Sequence, residues 1–411
     1  NRIWRRHIHA KYNRGGKKMT YKLAALAPHP IQYQAPLFRK LADHPDIDLT
    51  VYFCWDFGEK GEFYNPEFGK KIKWDIPVLE GYKYKFLPNL SPRAGSSFLG
   101  QINPSIIKEL FNNRYDAVWI HGYATLGNWF AFFGAWLCGT PVLLRGESHL
   151  VKQRHFWKRA VKYGILPLFF KGISAFLPVG SLNRKYYQFY GVPNEKMFLT
   201  PYAVDNDFFL NKYQELNEQR EHLKDDFGVD RALPVILYAS KMIPRKRPFD
   251  LLRAYEKIQE RMNAALVFVG DGIERSFLES YTKNNNLKNV YFTGFKNQTE
   301  LPYYFAIADV FVLPSGDEPW GLIINEAMNS GLPIITTEAV GAVPDLVKDG
   351  INGFIYPVGD IEKLVNCLSG VLEQSELRKN MRKDSLDIIS KWSFKEDIDG
   401  LSAALEYIRG N

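Results

Sequence analysis

Residues 308–329 read ADVFVLPSGDEPWGLIINEAMN. Val310, Phe311, Val312 and Leu313, behind Asp309, are apolar, β-branched and aromatic, the composition of a short buried strand. Pro314-Ser315-Gly316-Asp317 breaks that strand, and Glu318 follows in the loop. A helix is expected to start near Trp320-Gly321 and to carry Leu322, Ile323, Ile324, Asn325 and Glu326. One carboxylate therefore lies beyond a strand's carboxyl end, and a second lies eight residues later in the first turns of a helix. The N–H groups of a helix start, led here by Gly321 and Leu322, form an anion site at the positive end of the helix dipole. Carboxylates accept hydrogen bonds from hydroxyls. A ligand that is half phosphate and half polyol, a nucleotide sugar, would satisfy both. The same residues admit a plainer reading, with Glu318 a solvated loop residue and Glu326 a charge favouring the dipole.

The pattern repeats on both sides. Strands are expected at 21–27, 48–53, 115–120, 141–144 and 175–179, then at 234–239, 265–269, 290–293 and 333–336, with helical stretches between them. At 411 residues the chain is long for one core. Two halves of alternating strands and helices imply an α/β protein with two doubly wound parallel sheets. Ligands of such sheets sit at the carboxyl ends of the strands. His121, Lys241, Gly270, Gly294 and Glu318 each follow an expected strand. Residues 240–247 (SKMIPRKR) form a basic loop, whereas Gly270-Asp271-Gly272 is not G-x-G-x-x-G. Residues 56–100 are aromatic, rich in Pro, Gly and Lys, and without a clean period; acceptor-facing segments are expected there. A polar segment, 205–232, marks the domain boundary, and 361–389 and the last stretch to Ile408 read as helical.

Charge is unevenly placed. The net charge is +8, but residues 1–19 carry seven Lys and Arg and no acid. Met19 looks like a natural start at a first strand, so the leader is expected to be a vector-derived or mis-assigned extension, set aside from fold reasoning; a basic arm for anionic lipid or nucleic acid is the alternative. Residues 20–205 hold 22 basic and 14 acidic side chains, and residues 206–411 hold 24 and 31. A basic half beside an acidic half favours an anionic acceptor or membrane surface for the first. Residues 152–174 mix Lys152, Arg154, Lys158, Arg159, Lys162 and Lys171 with large apolar side chains. They fit an amphipathic helix packed on the sheet or one lying at a membrane interface. Residues 117–144 carry no formal charge, yet His121-Gly122 and Gly139-Thr140-Pro141 divide them into strand, helix and strand rather than a membrane span. Three scattered cysteines, Cys54, Cys138 and Cys367, show no disulfide framework and suit a reducing compartment.

The strings EPWGLIINEAM (318–328), SGLPIITT (330–337) and VKDGINGF (347–354) resemble the retaining glycosyltransferases of family 4, of the GT-B fold, whose signature is E-x7-E. The resemblance is specific over residues 235–365. It implies two Rossmann-like domains facing across a cleft: 19–205, 206–394, and a last helix, 395–411, crossing back to the first, with 1–18 outside both. It implies metal-independent transfer of a hexose, with retention, from a nucleotide-diphosphate donor to a hydroxyl of a polysaccharide or lipid-linked glycan. UDP is preferred over GDP or ADP, and the nucleotide sugar is a co-substrate rather than a cofactor.

By the same resemblance Lys241 and Lys246 take the places of the Arg and Lys that contact the diphosphate. Lys241 loses the bidentate fork of an Arg there. Glu326 falls to the ribose hydroxyls and Glu318 to the transferred sugar. The backbone of Trp320, Gly321 and Leu322 falls to phosphate or sugar, Gly294 and Phe295 with Lys296 to the base, and His121 to the sugar near the reacting centre. The loop 28–34 has no glycine where the family often has a Gly-rich loop, and Ala203 stands where glycine is usual. No D-x-D string or His/Cys ligand spacing implies a metal. The expected setting is cytoplasmic, at the inner face of a membrane reached through the basic first half. Two other classes fit less of the pattern: a GT-B-like sugar-nucleotide epimerase, which needs no acceptor, and a non-catalytic membrane or nucleic-acid binder. Near-neutral charge beyond the leader argues against nucleic acid.

Overall fold

The computed structural model describes residues 20–57, 61–65, 68–150 and 156–410, with the side chains of 156–161 set aside. The basic leader, and Lys152, Arg154 and the side chains of Lys158 and Arg159, thus lie outside the described residues. The first half runs β1 (Tyr21–Ala27), α1 (Ala35–Ala42), β2 (Ile47–Phe53), β3 (Phe63–Asn65), β4 (Lys70–Ile72), β5 (Lys83–Phe86), α2 (Ser105–Asn113), β6 (Ala117–His121), α3 (Leu126–Leu137), β7 (Val142–Gly146), α4 (Phe156–Lys171), β8 (Ala175–Pro178) and α5 (Ser181–Phe189). The second runs α6 (Asn206–Asn217), α7 (Arg220–Phe227), β9 (Val235–Ala239), α8 (Pro248–Gln259), β10 (Ala265–Val269), α9 (Arg275–Asn284), β11 (Val290–Gly294), α10 (Leu301–Ile307), β12 (Val310–Leu313), α11 (Leu322–Asn329), β13 (Ile334–Thr337), α12 (Val343–Leu346), β14 (Gly353–Tyr356), α13 (Ile361–Glu373), α14 (Ser375–Ile389) and α15 (Phe394–Gly410).

Two six-stranded parallel sheets result, in the orders β5-β2-β1-β6-β7-β8 and β11-β10-β9-β12-β13-β14. The order is the same twice: from the middle out to one edge, then back to the middle and out to the other. This is the doubly wound arrangement, and its crevice opens where the order reverses, between β1 and β6 and between β9 and β12. The strands read as apolar runs because helices cover both sheet faces; β9, β10 and β12 are buried along their whole length. Residues 117–144 do divide into β6, α3 and β7. Among the described residues no helix is long and apolar enough to cross a membrane.

Two stretches gain detail from the structure. The polar segment 205–232 is built of two helices, α6 and α7. Asp205 caps α6 by accepting a hydrogen bond from the Phe208 N–H, and Phe209 is buried in the core of the second sheet. Residues 361–389 are helical as expected, in two helices parted at Gln374, whose extended backbone ends α13 and opens α14.

The last helix, α15, packs Phe394, Leu401, Ala404 and Leu405 into the core of the first sheet, beside Leu23 and Leu177. A buried ion pair fastens it: Arg145 Nη2, at the end of β7, lies 2.8 Å from Asp397 Oδ2. The same guanidinium donates to the carbonyls of Thr200 and Pro201, both at 3.3 Å. Removing one partner leaves the other charged and buried, which typically costs about 3–5 kcal/mol. Asp397→Ala is expected to destabilise the first domain on that scale in denaturant unfolding. The double variant Arg145→Met/Asp397→Leu is expected to recover most of the loss. Additive losses in the double variant would show that the pair is not the source.

Candidate active site

Two cavities adjoin where the carboxyl ends of both sheets meet, sharing a wall of Glu147, Tyr202 and Pro319. The first, of about 370 Å³, takes Lys241, Arg245 and Lys246 from the loop after β9 and Phe295 and Lys296 from the loop after β11. Glu318, Trp320, Gly321 and Leu322 come from the loop between β12 and α11. Two glycines permit this approach. Gly270, at φ 131°, leaves no room for a Cβ, which would fall 2.0 Å from the Ser240 carbonyl oxygen. Gly321, at φ 95°, is the N-cap residue of α11, a left-handed conformation that glycine adopts without steric cost.

Charge is concentrated here. Lys246 forms an ion pair with Glu318, their side chains only 9% and 13% exposed. Arg245 Nη1 lies 3.7 Å from the same carboxylate and donates to the Asp317 carbonyl at 2.8 Å. Lys241 Nζ lies 5.3 Å from the centre of the Phe68 ring. Trp320 lines the cavity and is buried, its ring stacked 5.6 Å from Trp392 and 6.2 Å from Tyr202. Its Nε1 donates to Asn325 Oδ1 at 3.0 Å.

The second cavity, of about 590 Å³, lies in the first domain and holds His121, Gln34, Arg145, Ser148, His149 and Lys162, with Asp317 facing from the second. Gln34 Nε2 lies 3.2 Å from His121 Nδ1, and His121 Nε2 is a buried atom without a hydrogen-bond partner. Burial, and then the Arg145 charge, depress the His121 pKa to about 3. His121 is therefore neutral at ordinary pH, its imidazole carrying a single ring N–H. Tyr202 donates to Glu147 Oε1 at 2.5 Å, and burial, then this carboxylate, push its own pKa well up.

The residues singled out in the sequence are thus distributed over three places. Lys241, Lys246, Glu318, Phe295, Trp320, Gly321 and Leu322 line the first cavity, and His121 lines the second. Gly294 is buried at the end of β11, where its carbonyl accepts from the Gly270 N–H at 2.9 Å; it shapes the wall from behind. Glu326 does not face the crevice as expected. It is fully buried on α11, and no hydrogen bond of normal geometry reaches either carboxylate oxygen. Burial lifts its pKa to about 8, against a downward pull from the Tyr33 hydroxyl beside it. Tyr33 comes from the 28–34 loop after β1 and itself lines the first cavity, so it stands between Glu326 and the open space.

The 56–100 stretch also sits elsewhere than expected. Its antiparallel β3–β4 pair reaches across to the second domain and brings Asn65 and Phe68 into the first cavity, with Trp74 beside them. Phe68 packs edge-on against Phe295 at 4.9 Å, and Lys70 pairs with Asp271 at 2.8 Å. The Thr299 N–H and hydroxyl donate to Asp75, the former at 2.9 Å. These contacts, with Glu147, Tyr202 and Arg145, were missed in the sequence. Only Arg145 left a signal there, as the one charge in an otherwise apolar strand. Among the described residues no three His, Cys, Asp or Glu side chains form a group that could hold a metal ion.

Residues 219–386 match the family model for glycosyl transferases group 1. The N-acetyl-alpha-D-glucosaminyl L-malate synthase of Bacillus anthracis is 29% identical over 174 residues, 42% of this chain and 45% of that protein. The chain thus spans less than half the length of that relative. A glycosyltransferase from Rickettsia africae ESF-5 superposes with a TM-score of 0.74 at 15% identity, over 95% of this chain and 99% of that one. Anabaena Alr3699/HepE, crystallised with UDP, superposes with a TM-score of 0.71 at 18% identity, over 94% and 100%. The fold is therefore GT-B.

The buried carboxyl of Glu326 gives a pH signature. Its folded pKa lies above the unfolded one, so its stabilising contribution is whole below about pH 4.5 and is lost as pH rises towards 8. Glu326→Gln stays neutral throughout. It is expected to match the parent near pH 5 and to gain on it with rising pH, by on the order of 1.4 kcal/mol per pH unit. Thermal unfolding across that range checks this; parallel curves for the two proteins would refute it.

Proposed function

We propose that the protein is a retaining, metal-independent glycosyltransferase. It moves a hexose from a nucleoside-diphosphate donor, a UDP-sugar, to a hydroxyl of a polysaccharide or lipid-linked glycan. The observation that carries this reading is the first cavity, where Lys241, Arg245 and Lys246 converge with Glu318 on the start of α11. Fixed positive charge aimed at a leaving diphosphate is the largest electrostatic help such a reaction can receive. The UDP held by the structural relative supports the donor class, and the names of the sequence relative and the family model support sugar transfer.

The second cavity supports an acceptor. An epimerase needs one site, whereas two cavities sharing the Glu147, Tyr202 and Pro319 wall suit a donor meeting an acceptor. In the proposed step the bond from the anomeric carbon to the diphosphate oxygen breaks, its electron pair leaving with the diphosphate. The acceptor oxygen bonds to the same carbon on the same face, and its proton passes to the departing phosphate. Lys241 and Lys246 stabilise the charge that develops. His121 Nε2–H donates to the sugar, consistent with its neutral form. Glu318 accepts from sugar hydroxyls. Glu326 takes the ribose hydroxyls once Tyr33 gives way, and Phe295 and Gly294 border the base. The setting is cytoplasmic, at the inner face of an anionic membrane contacted by the basic first half.

A panel of nucleotide sugars, assayed for nucleotide release with and without glycan acceptors, tests the reading. One UDP-sugar is expected to turn over. Lys246→Ala is expected to lower kcat by about 10²–10³-fold, the usual effect of losing one preorganised charge stabiliser. If no donor binds or turns over, and Lys246→Ala and Glu326→Ala change nothing, the proposal fails.

A further inference from the structure

The first cavity has two ends. At one, Lys241, Arg245 and Lys246 meet Glu318 and the start of α11, where the strand order reverses between β9 and β12. At the other, Phe295, Asn297 and Gln298 come from the loop after β11, two strands along the sheet from β9. Neighbouring strands lie about 4.8 Å apart, so the two ends are separated by on the order of 10 Å. A nucleoside attached to a diphosphate bridges a step of that kind. The far end is built from both domains, because the β3–β4 hairpin touches three successive strand-end loops of the second sheet. After β9, Lys241 Nζ lies 5.3 Å from the centre of the Phe68 ring. After β10, Asp271 pairs with Lys70 at 2.8 Å and with Arg275 Nη1 at 3.2 Å. After β11, Phe295 meets Phe68 at 4.9 Å with the rings inclined by 73°, and the Thr299 N–H donates to Asp75 at 2.9 Å. Phe68 thus sits at a hairpin turn with its ring half-buried against the opposite domain and on the cavity wall.

Gln298 lies at the same end. It is only 4% exposed, and its Oε1 is buried with no hydrogen-bond partner among the described residues. A buried carbonyl left unpaired is costly, so one on a cavity wall calls for a donor from whatever fills the cavity. A carboxamide can pair with an adjacent N–H and C=O at once. Uracil presents that pair on its N3 edge. Its flat face also suits an aromatic side chain, since base-on-ring stacking needs only two π-surfaces.

We propose that the β3–β4 hairpin completes a nucleobase slot: the base stacks on Phe68, beside Phe295, and its N3–H donates to Gln298 Oε1. The assignment rests on the UDP-sugar donor proposed above, and it makes the first domain a party to donor binding. The two side chains divide the work. Phe68 supplies affinity with little regard to which base is present, because every base has a π-face. Gln298 supplies identity, because a base without an N–H at that edge leaves the buried carbonyl unpaired.

Calorimetry on the full chain compares UDP, N3-methyl-UDP and inorganic pyrophosphate. The three probes are titrated into the parent, Phe68→Ala and Gln298→Ala, each variant checked by thermal unfolding. Phe68→Ala is expected to weaken UDP by about 10- to 100-fold while pyrophosphate stays within about twofold. The N3-methyl group is expected to cost the parent about tenfold and to cost Gln298→Ala nothing. Unchanged UDP binding in Phe68→Ala overturns the stacking. So does an equal loss for pyrophosphate, which would place the effect on Lys241 rather than on the base. Equal binding of UDP and N3-methyl-UDP to the parent overturns the base contact, a comparison that needs no variant to fold. A methyl penalty that persists in Gln298→Ala overturns the part given to that residue. A parent that does not bind UDP strikes the donor reading and the slot together. A parent that binds UDP, with Phe68→Ala silent and no methyl penalty, strikes the slot alone.

Discussion

The buried pair of Arg145 and Asp397 is the interaction on which the rest of the arrangement depends. Burying two charges is costly and is offset only when geometry and further hydrogen bonds are good. Here the guanidinium also meets two carbonyls and lies 5.4 Å from the centre of the Tyr202 ring. The pair fixes the last helix to the first sheet. In doing so it fixes the segment just before that helix, where Trp392 stacks on Trp320 at the start of α11. Tyr202 also stacks on Trp320, accepts at its carbonyl from Trp392 Nε1 at 3.0 Å, and carries the hydroxyl that holds Glu147. One ion pair thus sets both the wall between the cavities and the backbone that edges the first.

Much of this was legible in the sequence for a physical reason. A strand buried on both faces must be an apolar run, and a parallel sheet needs helices between its strands, so period and composition reveal β9, β10 and β12 directly. The site loops follow from the same logic, since a doubly wound sheet offers its ligand only the carboxyl ends near the order reversal. Lys241, Lys246 and Glu318 are found that way. What the sequence conceals is depth and reach. Glu318 and Glu326 look alike as letters eight apart, yet one lies in the cavity with a lysine and the other lies behind Tyr33 with its charge suppressed. Nothing local distinguishes them, because the residue that hides Glu326 comes from a loop nearly three hundred positions away.

The β3–β4 pair is the harder case. Its strands are three residues each and only Ile72 among them is buried, so neither strand period nor a core face marks them. Their order comes from the opposite domain, through Phe68 on Phe295 and Lys70 on Asp271. A segment stabilised by contacts outside its own domain has no reason to display a pattern of its own. The same holds for Arg145, whose partner is some two hundred and fifty residues away, although a lone charge in a buried strand does signal that a partner must exist.

The Lys246–Glu318 pair joins stability to the proposed chemistry. Lys246 and Glu318 are both enclosed, and each offsets the cost of burying the other's charge. A diphosphate entering that cavity offers Lys246 a stronger partner than a single carboxylate. In the proposed reaction Lys246 would turn to it and leave Glu318 to accept from a sugar's hydroxyls. The cation is then aimed at the charge that develops on the leaving group, and the carboxylate at a group that stays neutral. Under that proposal the pair would hold ready the two halves of a nucleotide sugar's recognition, phosphate and polyol, while each charge keeps a buried partner.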